Sequence, residues 1–309
     1  MKRVKADKIL FTHAHIIVDR NREYLDGALA ISEGDIVTLF SQSETIYGDW
    51  KDYQIIDMHH NLLMPAFVDL WCLKERDLNE GVLYYGRLLK YEEEYSSDDR
   101  FYLGNCYNGP FVNKQRKGDL LDEDILSFDE DLTFKLAKNC KAMLIAPEKK
   151  GANRLTEILK ENNVKVLWGK SDYINNNEEL LYHEGYGDLY YNMTPYLNDR
   201  KGMINLAYSE KDKVKIVNLN KLNESVINDL LSLSNHSSII LYGDILSQIK
   251  ILRKLNVNYR DIACMSHFNA LDFYDYKSIG LLRGQEANLL GLDKDMNLLF
   301  VMKEGKIYL

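Results

Sequence analysis

The stretch Gly104-Asn105-Cys106-Tyr107-Asn108-Gly109-Pro110-Phe111 carries the most structural information in this chain. The run 101–103 in front of it is apolar, which is typical of a buried strand. Proline has no N–H for a sheet ladder, so Pro110 marks the end of that strand. Barrels of alternating strands and helices carry their chemistry at the carboxyl ends of their strands. The stretch therefore predicts a strand that delivers Cys106 and Asn108 to the mouth of a barrel.

On either side of this stretch, apolar runs follow one another at fairly regular spacing, and helical patterns separate several of them. A strand–helix–strand alternation favours a parallel sheet, most economically a (β/α) barrel. The runs lie at 62–71, 101–107, 142–146, 164–168, 189–191, 214–219 and 238–242.

The two ends of the chain have β character instead. Their β-branched runs are punctuated by turns at Glu33-Gly34-Asp35 and at Glu304-Gly305. Neither end could bury a core alone, so we expect them to combine. The prediction is a small β-sandwich domain of residues 1–60 plus 279–309 beside a barrel domain of residues 61–278.

Composition restricts the partners and the compartment. The 47 acidic and 39 basic residues give a net charge of −8, which argues against a general nucleic-acid or membrane-surface binder. The four cysteines are scattered without a C-x-x-C pair, as in reduced cytosolic proteins. No signal-peptide core follows the basic N-terminus, and no apolar run approaches the roughly 20 residues of a membrane span. A cytoplasmic location is therefore predicted, without nucleic acid or membrane as a partner.

The opening stretch resembles the Gly-x-His-x-Glu-Gly-Pro-Phe segment of the N-acetylglucosamine-6-phosphate deacetylases, a family of the amidohydrolase superfamily. Further segments resemble that family in its own order and spacing. They lie at 63–69, 144–148, 168–171, 189–195, 241–244 and 279–293. The resemblance implies a barrel of the amidohydrolase type and a role in amino-sugar metabolism.

The resemblance has an architectural departure. Between Asp69 and Gly109 the chain is shorter than the family segment that includes the second barrel strand. The segment 83–95 carries leucines at helical spacing, so it predicts a helix. We therefore expect an incomplete barrel whose second strand is missing or vestigial.

The resemblance also implies a dismantled metal site. The family holds a divalent metal such as zinc with histidine and carboxylate ligands, which bind that metal well. Only the catalytic aspartate is retained, as Asp244. The ligand positions are occupied here by Trp71, Leu73, Asn108, Lys170 and Asp188. The prediction is a degenerate member without metal or other cofactor.

Electrostatics suggests what replaces the metal. Two carboxylates near each other repel, and a lysine between them would take over the role of the cation. Lys170 would then pair with Asp188 or Asp244 as an electrostatic replacement; the alternative is that Lys170 points into solvent. If the protein is active, Asp244 is the candidate general acid/base.

Ligand binding is better retained than catalysis. In the family, backbone amides and an arginine from a neighbouring subunit bind the sugar phosphate, which implies a homodimer. Here Asn192, Met193 and Arg200 match that region, whereas Lys221 replaces a substrate-contacting histidine. Arginine suits phosphate through its bidentate fork, although an ordinary solvated loop would also contain it. The predicted ligand-binding residues are Asn108, Asp188, Asn192, Met193, Arg200 and Lys221.

A His-x-His pattern, His13-Ala14-His15, lies in the N-terminal β region and is predicted to be structural.

Three functional hypotheses remain open. The first is a catalytically impaired relative that binds a sugar phosphate. The second is an active amidohydrolase that uses Asp244 with a rearranged or absent metal. The third is a structural or regulatory subunit, and fold analogy alone does not choose among them.

Overall fold

The structure is a computed structural model of the chain. It describes residues 3–4, 7–72, 78–169, 190–192, 214–233, 235–277 and 280–308.

Strands from both ends of the chain form one sheet, here called the terminal sheet. Its order is β1-β17-β16-β15-β6-β2-β3-β4, and β5 pairs with β2. The strands are β1 (Arg3–Val4), β2 (Lys8–Ile17), β3 (Glu23–Ser32), β4 (Asp35–Ser41), β5 (Gln54–Asp57), β6 (Leu62–Pro65), β15 (Leu289–Leu292), β16 (Leu298–Lys303) and β17 (Lys306–Tyr308). The predicted union of the two ends is confirmed, whereas a sandwich of two layers stays a prediction.

The core of the terminal sheet joins residues that are far apart in sequence. Phe11 on β2 stacks on Phe300 of β16 with ring centroids 5.3 Å apart and nearly parallel planes. Both rings are buried in a cluster that also contains Ile31 and Leu289. Burial of these apolar side chains at about 25 cal/mol per Å² holds the two chain ends together.

The middle of the chain forms the central sheet, in which eight strands follow one another in sequence order. The registers from β8 to β14 are parallel. The strands are β7 (Phe67–Cys72), β8 (Val82–Leu89), β9 (Tyr102–Tyr107), β10 (Ala142–Ile145), β11 (Lys165–Trp168), β12 (Tyr190–Asn192), β13 (Val214–Val217) and β14 (Ile239–Leu241). Strands such as β10 are buried along their whole length, as parallel strands between helices are.

The central sheet is curled. Trp71 at the end of β7 contacts Tyr242, which follows β14, with ring centroids 4.7 Å apart. These two strands are the edges of the sheet, so its edges approach each other at this end. Within the described pairings no ladder joins β14 to β7, and the sheet is an open, curled relative of a barrel.

Six α-helices are found in the described parts of the chain. Leu155, Ile158 and Leu159 are buried on one face of the second helix. The helices are α1 (Glu130–Ala137), α2 (Ala152–Glu161), α3 (Glu224–Leu233), α4 (Ile245–Lys254), α5 (Tyr259–Ala263) and α6 (Asn269–Phe273). A π-helical turn, Cys264–Phe268, lies between α5 and α6. No helix in the described ranges is long and apolar enough to cross a bilayer.

The helix predicted at 83–95 is wrong. This segment contains β8, which occupies the second position of the central sheet, so the prediction of a missing second strand is also wrong. Gly86 and Leu88 pair with Gly104 and Cys106 of β9. The ladder to β9 and burial against neighbours decide the conformation, because context outweighs the helical spacing of a few leucines.

Contacts divide the chain into two compact units. The first consists of Met1–Asp69, Glu75–Tyr84 and Asp244–Leu309, and it includes the terminal sheet and helices α4 to α6. The second consists of Leu70–Lys74 and Tyr85–Gly243, with most of the central sheet. The predicted domain boundaries themselves stay a prediction.

Candidate functional site

The best-described candidate site lies at the carboxyl ends of β8 and β9. Asn108 directly follows β9, and its backbone N–H donates to the carbonyl oxygen of Leu89 at 2.8 Å. Its side chain lines a cavity of about 400 Å³, here called the Asn108 pocket. The other polar or charged lining residues are Arg87, Lys90, Glu93, Glu94, Tyr95 and Asp119.

The Asn108 side chain is held as a hydrogen-bond donor. Its Nδ2 lies 3.5 and 3.4 Å from the two carboxylate oxygens of Asp119, and the residue is only 6% exposed. A carboxylate at position 108 would face Asp119 as a like charge, which raises the free energy of the ionised form. The asparagine therefore removes that repulsion and replaces it with two long, weak hydrogen bonds.

A lysine–aspartate pair lies beside this contact. Lys90, just after β8, places Nζ 2.8 Å from the Asp124 carboxylate, whose side chain is 10% exposed. The backbone N–H of Leu121 also donates to Asp124 at 2.7 Å. The hydrogen bond from Lys90 is the main cause that lowers the pKa of Asp124, and the same bond raises the pKa of Lys90. The pair favours both charged forms and anchors the long loop that follows Pro110.

A second ionic contact stabilises the same loop. Asp122 accepts hydrogen bonds from Lys114, at 2.7 Å, and from Lys117. These two bonds, with Lys114 first, lower the pKa of Asp122. Because all three side chains are substantially exposed, solvent screens the pairs, and their contribution to stability is small. Their effect is to restrict the path of the loop over the strand ends.

Several predicted site residues lie outside the described residues: Leu73, Lys170, Asp188, Met193 and Arg200. Asn192 is the last residue of β12. Lys221 is exposed in the turn Leu219–Lys221 after β13, and three strands separate β13 from β9 in the sheet order. The roles predicted for these residues stay predictions.

Asp244 begins helix α4 as its N-cap. Its side chain accepts a hydrogen bond from the Ser247 backbone N–H at 3.0 Å and another from the Ser247 hydroxyl. An N-cap aspartate satisfies an otherwise unpaired helix N–H and interacts favourably with the helix dipole. The exposed Asp244 carboxylate therefore has a structural role, and its predicted acid/base role stays a prediction.

The histidine pair of the N-terminal region lies on β2 of the terminal sheet, as predicted. His13 Nδ1 approaches Asp26 at 3.5 Å, whereas His15 Nε2 contacts Glu23 at 2.7 Å. The two rings thus interact with different carboxylates of β3, so each histidine contacts a side chain of the neighbouring strand.

The described ligand positions do not fit a metal. Trp71 is buried against Tyr242 and offers no carboxylate or imidazole, and the Asn108 amide donates to Asp119. Over the described ranges, no group of three or more histidine, cysteine, aspartate or glutamate side chains is arranged to hold a metal ion. The predicted loss of the metal itself stays a prediction, since Lys170 and Asp188 lie outside these ranges.

Sequence reasoning missed Lys90, Asp119 and Asp124. A usable signal was present, because Asp119, Asp122 and Asp124 follow Lys114 and Lys117 within one loop. A run of cations followed by a run of carboxylates within one loop indicates internal ion pairs. The partner Lys90 was hidden, because the segment that contains it was assigned to a helix.

Comparison with known proteins adds to this geometry. No family model and no curated protein matches the chain. Among solved structures, the N-acetylglucosamine-6-phosphate deacetylase of Thermotoga maritima is similar, with a TM-score of 0.74, 18% identity, and coverage of 97% of this chain and 99% of that chain. The chain has the fold of the N-acetylglucosamine-6-phosphate deacetylases. The resemblance predicted from the sequence is confirmed for the fold.

Other solved structures agree with this fold assignment. A variant of the Mycobacterium smegmatis N-acetyl-D-glucosamine-6-phosphate deacetylase, in complex with N-acetyl-D-glucosamine-6-phosphate, has a TM-score of 0.79 and 12% identity, covering 98% of this chain and 99% of that chain. An enamidase of the amidohydrolase superfamily has a TM-score of 0.61 and 12% identity, covering 97% of this chain and 95% of that chain. The fold of this chain is therefore deacetylase-like and amidohydrolase-like.

Replacement of Asn108 by aspartate tests the electrostatics of the Asn108 pocket. The change keeps the side-chain size but places a negative charge about 3.5 Å from the Asp119 carboxylate. We expect urea unfolding at pH 7 to show a loss of about 1 kcal/mol, modest because Asp119 is exposed. The loss should shrink towards pH 4, where carboxyl groups protonate. The same loss in an Asp119→Asn background would contradict this explanation.

Proposed function

We propose that this protein is a catalytically impaired N-acetylglucosamine-6-phosphate deacetylase-like protein that binds a sugar phosphate without hydrolysing it. The observation that carries the proposal is the buried Asn108 amide that donates to Asp119 at the position where the resemblance implies a metal-ligating glutamate. Amide hydrolysis requires an activated water and a polarised carbonyl, and the described residues at this position supply neither.

Binding in this proposal relies on cations. Arg200 would hold the phosphate through its fork, supported by Asn192 and Met193, and Lys170 would replace the charge of the metal between Asp188 and Asp244. Lys221 would contact the ligand from the turn after β13. The resemblance implies a homodimer in which Arg200 reaches the neighbouring subunit, and the proposed setting is amino-sugar metabolism in the cytoplasm.

A second candidate is an active amidohydrolase that uses Asp244 as acid/base with a rearranged or absent metal. The fold supports it, but the Asp244 carboxylate already accepts two hydrogen bonds from Ser247 as the N-cap of helix α4. The third, a structural or regulatory subunit, rests on the same loss of catalytic groups. We favour the binding protein because Asn192, Met193 and Arg200 match the phosphate-binding region of the family in the sequence.

The test combines binding and turnover on the full chain. Calorimetry with N-acetylglucosamine 6-phosphate is expected to show binding that Arg200→Ala weakens at least tenfold, and acetate release is expected to be absent with and without zinc. Arg283→Ala, an exposed arginine of the other unit, is the matched control and should bind normally. Acetate release that Asp244→Asn abolishes would establish the active enzyme instead. No binding and no turnover would favour the subunit.

A further inference from the structure

A second and larger cavity lies at the opposite ends of the same strands. Its volume is about 660 Å³, and it is lined from the amino ends of β9, β10 and β11. We call it the Asn105 pocket, after the buried side chain in its wall. It contains none of the predicted site residues, and its size is in the range of small-molecule sites, about 300 to 1,000 Å³.

The pocket exists because the connection between β8 and β9 contains no helix. Helices normally cover the outer face of a parallel sheet. Here residues 90–101, all of them described, form turns and irregular chain. The irregular part is attached to β9 by two side chains, since Asn105 Nδ2 donates to the Tyr95 carbonyl at 2.8 Å and the Tyr107 hydroxyl donates to the Glu93 carbonyl at 3.4 Å. A thin segment in place of a helix leaves an open space between it and α1.

The wall of the pocket is preorganised. Asn105 is 7% exposed, accepts a hydrogen bond from the Tyr102 hydroxyl at 2.5 Å, and donates to the carbonyls of Tyr95 and Asn139. The Tyr95 and Tyr102 rings meet edge to face with centroids 5.3 Å apart. Burial, as the largest cause, raises the pKa of Tyr102, so its hydroxyl keeps the proton that it donates. A wall held in this way loses little conformational freedom when a ligand binds.

The lining has a specific chemistry. It presents amides and hydroxyls, groups that offer hydrogen-bond donors and acceptors together, beside aromatic rings. It carries two lysines and one glutamate, so its net charge is small. Burial raises the pKa of the Cys140 thiol, which keeps it neutral and unreactive. The polar and aromatic lining residues are Glu94, Tyr95, Ser96, Ser97, Tyr102, Asn105, Tyr107, Lys138, Asn139, Lys141, Asn162 and Asn163.

We propose that the Asn105 pocket binds a polyhydroxylated, sugar-like ligand. Hydroxyl groups of a sugar both donate and accept, which matches amides such as those of Asn139 and Asn163, and the C–H face of a sugar ring packs on tyrosine. An apolar ligand would leave the amides unpaired at a cost of about 1 to 3 kcal/mol each. The site is distinct from the sugar-phosphate region proposed above, and its ligand needs no phosphate.

The experiment uses the full chain and neutral probes. D-glucose and N-acetyl-D-glucosamine are titrated by calorimetry, with inorganic phosphate as the probe of the lysines alone. Hydrogen–deuterium exchange is followed over 93–105 and 137–141. We expect a neutral sugar to bind and to slow exchange in both segments. Asn139→Leu and Ser97→Leu, which put apolar side chains into the lining, should each weaken binding at least tenfold.

Two controls separate this site from the proposed function. Asn21→Leu, an exposed asparagine of the other unit, and Arg200→Ala should bind the neutral sugar as the wild type does. Thermal unfolding followed by circular dichroism confirms that each variant is folded. The proposal is overturned if no neutral sugar binds, if inorganic phosphate alone produces the protection, or if Arg200→Ala and not the pocket variants removes binding.

Discussion

Replacement of Gly305 by alanine is expected to destabilise the protein by about 3 to 5 kcal/mol. Gly305 has φ +72°, a left-handed conformation that costs an alanine about 1 to 2 kcal/mol. An added Cβ would also lie 2.4 Å from the Cα of Gly34 and 3.1 Å from its N and C atoms. Because these are backbone atoms, the two turns would have to move apart.

A second glycine provides the matched control. Gly284 has φ +80°, and a Cβ added there would meet no atom within 4 Å. Gly284→Ala should therefore cost only the conformational part, about 1 to 2 kcal/mol. Urea unfolding of both variants measures the difference between their losses of stability. If Gly305→Ala does not fold while Gly284→Ala does, the larger loss at Gly305 is also established. Equal losses for the two variants would show that the approach of the turns contributes nothing.

The contact matters because it joins the two ends of the chain. The Ala287 N–H donates to the Gly34 carbonyl at 2.8 Å, and the Gly305 N–H donates to the Ala287 carbonyl at 3.1 Å. Both turns were predicted from their glycines, but their contact was not. A turn is decided by local backbone chemistry, whereas a contact between residues nearly the whole chain apart depends on the completed sheet.

The same distinction explains which elements could be predicted. Apolar runs such as 142–146 gave the correct strands, because a buried parallel strand needs only a short continuous apolar run. The prediction for the segment around Leu88 was wrong, because the spacing of Leu83, Leu88 and Leu89 fits a helix as well as a strand that pairs with β9. The choice between the two depends on a neighbouring strand, which is not visible within the segment.

The candidate site, too, could be predicted only in part from the sequence. The sequence pattern placed Asn108 at the end of a strand, and the family resemblance implied the loss of a carboxylate there. The sequence could not show that the Asn108 amide donates to Asp119, because that hydrogen bond depends on how the loop after Pro110 folds back. Within β9, the Asn105 side chain likewise binds the connection that replaces a helix. Two amides, one within β9 and one just after it, thus hold irregular segments that hydrophobic patterning does not describe.

The stability of the protein is expected to fall as the pH is lowered from about 6.5 to 4, and His267 is the cause. His267 lies in the π-helical turn Cys264–Phe268, is 5% exposed, and is 2.6 Å from the Ala66 carbonyl oxygen through Nδ1. Burial is the main cause that lowers its pKa from 6.5 to about 4. The hydrogen bond to Ala66 raises the pKa and Arg20 lowers it further. The aromatic neighbours Tyr84 and Phe268 carry no charge at these pH values.

The sign follows from proton binding. Between pH 4 and 6.5 the unfolded chain holds a proton on His267 that the folded chain does not, so stability rises with pH across this window. A shift of this size corresponds to roughly 3 kcal/mol. Urea unfolding from pH 4.5 to 7.5 measures the slope, and His267→Gln, which keeps an amide donor but cannot titrate, is the comparison. The variant should be less stable at pH 7.5 but should lose less stability on acidification, because only the wild type must exclude a proton from a buried ring. Parallel curves for the two proteins would show that His267 is not the group that makes folding sensitive to acid.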